Sequence, residues 1–321
     1  MGNNCYRDLL KNTEKEFLLN YSFSLLDNIK SKYMLMHVFN NLNECKKLQI
    51  TKINKRLRQK LEIDIEDYQE LSKTIEIEII PVNKKSDIFI NIPLGEQKSY
   101  FHMYYNYVGN EMKNNYIQKE DIIQKINLII DFPVKSFQNL FKGCKWIESI
   151  KFKRFNRDNI TNMKNMFYDC TSLKELNFSR FNSINVTNMF GMFYECSKLK
   201  EIDLSNFNTS NVIDMNGMFY GCASLKKINL KSFNTEKVTD MKFMFAGCSN
   251  LKELNLENFN TKNVTDMYHM FSRCKSLQKL KFTIYNINSV FDTKGMFYLC
   301  SYEFQKIIEI QMGNIKKSLL S

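Results

Sequence analysis

The chain has 321 residues, 44% of them hydrophobic, with three prolines and a formal net charge of +12 at pH 7. That composition supplies a real core and excludes wholesale disorder and a proline-rich linker. No apolar run approaches the roughly 18 residues that span a bilayer, and no apolar stretch at the N-terminus marks a secretory signal; the expected location is therefore intracellular, in the cytoplasm or on the cytoplasmic face of a membrane, with thiols kept reduced.

Residues 1–28 read as an N-terminal tail that begins Met1-Gly2-Asn3-Asn4-Cys5. Removal of Met1 exposes Gly2, the acceptor for N-myristoylation, and Cys5 is a candidate for palmitoylation. One acyl chain holds a membrane only marginally, so the two positions matter as a pair. The alternative is an ordinary unmodified tail.

Residues 29–73 read as helical. Leu35, Val38, Phe39 and Leu42 form one apolar face, and Leu48, Ile50, Ile53 and Leu57 form a second. Two such helices make a hairpin whose seam has to be buried. Through Val38-Phe39-x-x-Leu42 and Ile53-x-Lys55-Arg56-Leu57-Arg58, residues 31–61 resemble an F-box. The resemblance implies that Leu35, Val38, Phe39, Leu42, Leu48, Ile53 and Leu57 dock a ubiquitin-ligase core. The other reading is a helical cap packed on the C-terminal part of the chain.

Residues 74–133 change character. Ile75, Ile77 and Ile79 alternate with Glu76 and Glu78, as in a half-buried strand. Residues 87–92, 100–108 and 126–132 read as further strands. Together they predict a small β-rich region that closes the start of the next segment.

Residues 134–300 are repetitive. Cys144, Cys170, Cys196, Cys222, Cys248, Cys274 and Cys300 recur every 26 residues, and a fixed period of that length signals stacked coils. In the coil that starts at Asn185, Met189, Met192, Phe193 and Cys196 lie on one face of a predicted short helix, with Thr187 as its N-cap. Asp214, Asp240 and Asp266 of later coils add charge in the first turn, where a helix dipole favours it. Leu199-x-x-Ile202-x-Leu204 predicts a strand with Ile202 and Leu204 inward and Glu201, Asp203 and Ser205 outward. Asn182, Asn208, Asn234, Asn260 and Asn286 share one slot, where stacked amides would satisfy turn backbone of neighbouring coils. Residues 301–321, with Phe304, Ile307, Ile308 and Ile310, read as a C-terminal cap.

The pattern in residues 263–282, NVTDMYHMFSRCKSLQKLKF, resembles the BspA-like leucine-rich repeats. The resemblance implies an α/β fold: a leucine-rich-repeat solenoid of six to seven 26-residue coils, each a short strand plus a short helix. It implies a protein that binds other macromolecules and carries no chemistry.

Outward strand positions predict the binding surface. They include Lys151 and Lys153, Glu175 and Asn177, and Glu201 and Asp203. Lys227, Asn229 and Lys231 come next, then Glu253, Asn255 and Glu257, then Lys279 and Lys281. Residues 134–321 hold 27 Lys+Arg against 16 Asp+Glu, but this face bands acids between bases. A nucleic-acid groove calls for a continuous basic track with interleaved aromatics, so nucleic acid ranks below a protein ligand; an anionic membrane is a further candidate through the column Lys174, Lys200, Lys226 and Lys252. The three histidines, His37, His102 and His269, have no second candidate at useful spacing, and His269 is expected on an exposed surface. No Cys-x-x-Cys pair, His cluster or glycine-rich phosphate loop is present, so the expectation is a non-enzyme without metal or cofactor.

Overall fold

The computed structural model describes Gln59 and residues 73–82, 87–88, 90–92, 99–105, 116–117, 123–131, 133–155, 157–179, 181–282 and 292–312. The chain divides into two units, Met1–Lys73 and Thr74–Ser321. The candidate acylation sites Gly2 and Cys5 lie outside the described residues. So does the F-box-like surface, with Leu35, Val38, Phe39, Leu42, Leu48, Ile53 and Leu57.

The alternating isoleucines form strand β1, Ile75–Pro81, whose Ile75, Ile77 and Ile79 are fully buried. Two short strands, β2 at Asp87–Ile88 and β4 at Tyr116–Ile117, pair with each other. Strand β3, Phe101–Tyr105, runs antiparallel to β5, Ile126–Ile130, which runs antiparallel to β1. On its other side β1 pairs with β6, Ile147–Phe155, which is the strand of the first repeat. β6 is nine residues long whereas later repeat strands have three. Its extra length is held by β1, which covers the row of backbone groups that a terminal strand otherwise exposes. Glu78 on β1 binds Lys125 at 2.7 Å and Lys153 of β6 at 2.8 Å. Burial pushes its carboxyl up, but the two lysines outweigh burial and hold it below the ordinary value.

The repeat strands are β7 (Glu175–Asn177), β8 (Glu201–Asp203), β9 (Lys227–Asn229), β10 (Glu253–Asn255) and β11 (Lys279–Lys281). β6 pairs with β7, β8 with β9 and β10 with β11, always parallel and always 26 residues apart. The strands are therefore joined in pairs and not as one continuous sheet. A second parallel ladder does run unbroken, through bridges Ser136–Asn162–Asn188–Asp214–Asp240–Asp266–Asp292.

The predicted repeat helix is absent. In its place each repeat makes consecutive turns, with left-handed residues four apart, Gly191 and Glu195 in one repeat and Gly217 and Gly221 in the next. Amides alternate in direction. Met192, Tyr194 and Cys196 donate to carbonyls three residues back, at 3.1–3.2 Å. Met189, Gly191, Phe193 and Glu195 donate instead to Asp214, Asn216, Met218 and Tyr220 of the following repeat, at 2.7–3.1 Å. An α-helix would spend every amide inside its own coil; the left-handed residues turn alternate amides along the stack.

Two helix-based readings fall with it. Thr187 is no N-cap: its amide and hydroxyl both reach Thr161 O of the preceding repeat, at 2.9 and 3.3 Å. Asp214, Asp240 and Asp266 are not dipole partners: each accepts the amide two residues on, at 2.9–3.0 Å. That is an Asx-turn.

The interior is built from columns. Phe141, Phe167, Phe193, Phe219, Phe245, Phe271 and Phe297 stack at successive centroid distances of 5.4–5.8 Å, within the favourable range for offset rings. Each thiol from Cys170 to Cys300 reaches a carbonyl of the preceding repeat, Cys196 Sγ to Phe167 O at 3.2 Å for example, at 3.0–3.2 Å throughout. The same carbonyls accept the cysteine amide of their own repeat, as Phe167 O does from Cys170 N. Helix α1, Tyr302–Met312, comes after the last repeat. It buries Phe304 and Ile308, one turn apart, while Ile307 stays exposed. Phe304 meets Phe297 edge-on at 5.9 Å, and Gln305 Nε2 donates to Phe297 O at 3.0 Å. Among the described residues no helix is long and apolar enough to cross a membrane.

Candidate functional site: the strand face

Strands β7, β8 and β10 show why a face exists. Burial alternates along β8, with Glu201 and Asp203 exposed and Ile202 buried, and β10 repeats that pattern. Lys151, Glu175, Asn177, Lys227, Lys231, Glu253, Asn255, Glu257, Lys279 and Lys281 are exposed on the same side, and Lys153 and Asn229 are half-buried. All these residues are expected outward from the two-residue period alone.

They are not equally available. Asn177, Asp203, Asn229 and Asn255 each accept the amide two residues on, at 2.9–3.3 Å. These Asx-turns end the strands after three residues, so four predicted ligand contacts spend an oxygen on the fold. At Asp203 the backbone hydrogen bond from Ser205 leads in holding the carboxyl below its ordinary value. Lys279 pairs with Glu253 at 2.8 Å and Lys281 with Glu257 at 3.3 Å, all well exposed. Exposed pairs contribute little and exchange readily for a partner's charges.

At the start of the face lies a concavity of about 670 Å³. Ile80 and Leu176 supply apolar surface, and Glu78, Lys151, Lys174, Glu175, Lys200 and Glu201 are charged residues of its lining. Ile80 is 39% exposed. Reasoning from the repeats missed Glu78 and Ile80, because they come from β1, outside the period. The signal was present in the alternation of residues 75–79, whose outward members had to face something.

The other sequence candidates are placed apart from this face. The seven repeat cysteines, Cys144 to Cys300, are buried, and burial pushes those from Cys170 to Cys300 up, to about 12 for Cys300; a thiol held protonated is a poor nucleophile. His102 contacts Asp131 at 3.0 Å. His269 is not the exposed surface residue expected: it is half-buried, stacked on Phe243 at 5.7 Å and edge-on to Tyr268 at 4.1 Å. The asparagine slot serves its own coil, as Asn208 Oδ1 accepts Ser210 N at 3.0 Å; Asn286 lies outside the described residues. The bond between coils comes from the next residue, a buried hydroxyl at Ser183, Thr209 and Thr235. Among the described residues no group of three His, Cys, Asp or Glu side chains is placed to hold a metal ion.

Comparison with protein families gives two overlapping matches, residues 110–228 and 200–310, to one family model, described as Mycoplasma protein of unknown function, DUF285. The matches take in the repeats and do not reach the F-box-like residues 31–61. No curated protein and no solved structure matches the chain.

Proposed function

From the premise that this chain belongs to the DUF285 family, we propose that it is a non-enzymatic protein-binding module whose ligand sits on the strand face. In this reading the repeats form a solenoid of the BspA-like leucine-rich type, in which stacking consumes the interior and leaves the strand side for recognition. The observation that carries it is the concavity between β1 and the first repeat strands. Apolar surface from Ile80 and Leu176 beside carboxylates and ammonium groups is the composition of a protein-binding patch: apolar contact for affinity, interspersed charge for register and partner choice. A nucleic acid would meet Glu78, Glu175 and Glu201 with its phosphates, and that repulsion disfavours it.

The test uses the whole chain as bait and a variant with two reversed charges, Lys151→Glu and Glu201→Lys. Both side chains project outward, so the fold is expected to stand, as a thermal melt will check. A partner retained by the wild type and lost by the double variant is the expected result. Partners held equally by both proteins would remove the strand face as the binding site. Tight, salt-sensitive binding of DNA or RNA by the unmodified chain would replace the protein ligand with nucleic acid.

A further inference from the structure

A second concavity, of about 440 Å³, opens on the turn half of the repeats. It exists because two successive repeats lack a side chain at one slot. The second left-handed position of each repeat holds Gly143, Asp169, Glu195, Gly221, Gly247, Arg273 and Leu299 in succession. Gly221 and Gly247 leave a notch with an acid before it and a base after it. A Cβ on Gly221 would lie 2.5 Å from Glu195 Cδ, and one on Gly247 3.3 Å from Gly221 backbone. Glu195 thus leans into the notch.

The walls are aromatic. Tyr220 meets Phe243 edge-on at 6.0 Å, Phe243 meets Tyr268 edge-on at 5.3 Å, and His269 stacks on Phe243. Phe243 and His269 occupy the first left-handed slot, at φ 56° and 54°, where earlier repeats place Asn139, Asn165, Gly191 and Gly217. A bulky ring in that conformation is strained, and side chains held so are concentrated at functional sites. The Glu195 carboxylate is half-buried and has no hydrogen-bond partner among the described residues. Burial, then the nearby Asp169, pushes it above the ordinary value. Arg273 is exposed at the far end. Three stacking steps, about 14 Å, separate the two backbone positions.

We propose that this notch binds a small zwitterion of amino-acid or dipeptide size, its cationic group against Glu195 and the aromatic rings and its carboxylate toward Arg273. A cation relieves the unpaired carboxylate and gains the faces of the rings, and a guanidinium holds a carboxylate through two parallel hydrogen bonds. The volume falls in the range of small-molecule sites. The site is independent of the strand face, and neither depends on the other.

The full chain is titrated with L-arginine, with agmatine (arginine without its carboxylate) and with the dipeptide Gly-Arg, following heat or backbone amide shifts. Wild type, Glu195→Gln and Arg273→Gln are compared, with thermal melts as a check on folding. Saturable binding of L-arginine is expected, weakened about tenfold or more by Glu195→Gln, the loss of one charged contact. Agmatine is expected to bind more weakly and to lose no affinity on Arg273→Gln. Tighter binding of Gly-Arg than of L-arginine would identify a peptide terminus as the source of the zwitterion; the reverse order would identify a free amino acid. Absence of saturation with all three probes up to about 10 mM, weaker than any useful site, overturns the proposal. So does equal affinity in wild type and both variants.

Discussion

Thr235 does two things with one buried oxygen. Its hydroxyl donates to Asn260 O at 2.9 Å and accepts Asn260 N at 2.8 Å, with the residue fully buried. Thr209 does the same for Asn234, and Ser183 for Asn208. Each turn backbone would otherwise enter the interior unpaired. Thr235→Val keeps the shape and removes the oxygen, leaving one donor and one acceptor of Asn260 unsatisfied. The expected cost is about 2–4 kcal/mol, from two unpaired buried groups. Thr235→Ser keeps the oxygen and is expected to cost about 1 kcal/mol or less, roughly one methyl group. Urea unfolding reads both, as a shifted midpoint at constant slope. A valine variant as stable as the wild type would show that the column merely fills space.

At the scale of elements, the strands were legible and the turns were not. Leu199-x-x-Ile202-x-Leu204 has the period of a strand, and the structure places a strand there. Met189, Met192, Phe193 and Cys196 have the spacing of a helix face, yet the segment bonds its alternate amides to the next repeat. Spacing alone misleads here, because successive turns also return the chain to the core every three to four residues. The glycines held the contrary signal. Gly217 and Gly221 sit four apart inside the supposed helix, where glycine is disfavoured and where the structure has positive φ. The same element separates two roles for Asp240. Its Oδ1 accepts Lys242 N at 2.9 Å, and its Oδ2 accepts Asn216 Nδ2 at 3.2 Å. Asp240→Asn keeps the Oδ1 acceptor, as Asn162 and Asn188 do in earlier repeats, and is expected to lose less than about 1 kcal/mol. Asp240→Ala leaves Lys242 N without its acceptor and is expected to lose about 1–2 kcal/mol. Equal losses measured by denaturant unfolding would return the charge, and not the turn, as the cause.

For the molecule as a whole, the period of the cysteines announced a stack, but not the bond each thiol makes. Burial pushes the thiols from Cys170 to Cys300 up from the ordinary 9.0, to about 12 at Cys300. A folded-state value above the unfolded one means that the folded chain binds more protons in between. This contribution is therefore fully present below about pH 9 and is lost as pH rises above it, toward about 12 at Cys300. Each thiol removes up to about 1.4 kcal/mol per pH unit in that window. Six together amount to several kcal/mol per unit, against a total stability of about 5–15 kcal/mol for a typical domain. The repeats are therefore expected to unfold within one or two pH units above 9, as one cooperative step that releases several protons. Circular dichroism and thiolate absorbance, recorded through the same alkaline titration, check this. Their midpoints are expected to coincide, and the double variant Cys222→Ala, Cys248→Ala is expected to show a shallower pH dependence. Thiolate absorbance that rises near pH 9 while the dichroism holds would mean that solvent reaches the column, and the thiol–carbonyl ladder would then carry none of the pH dependence.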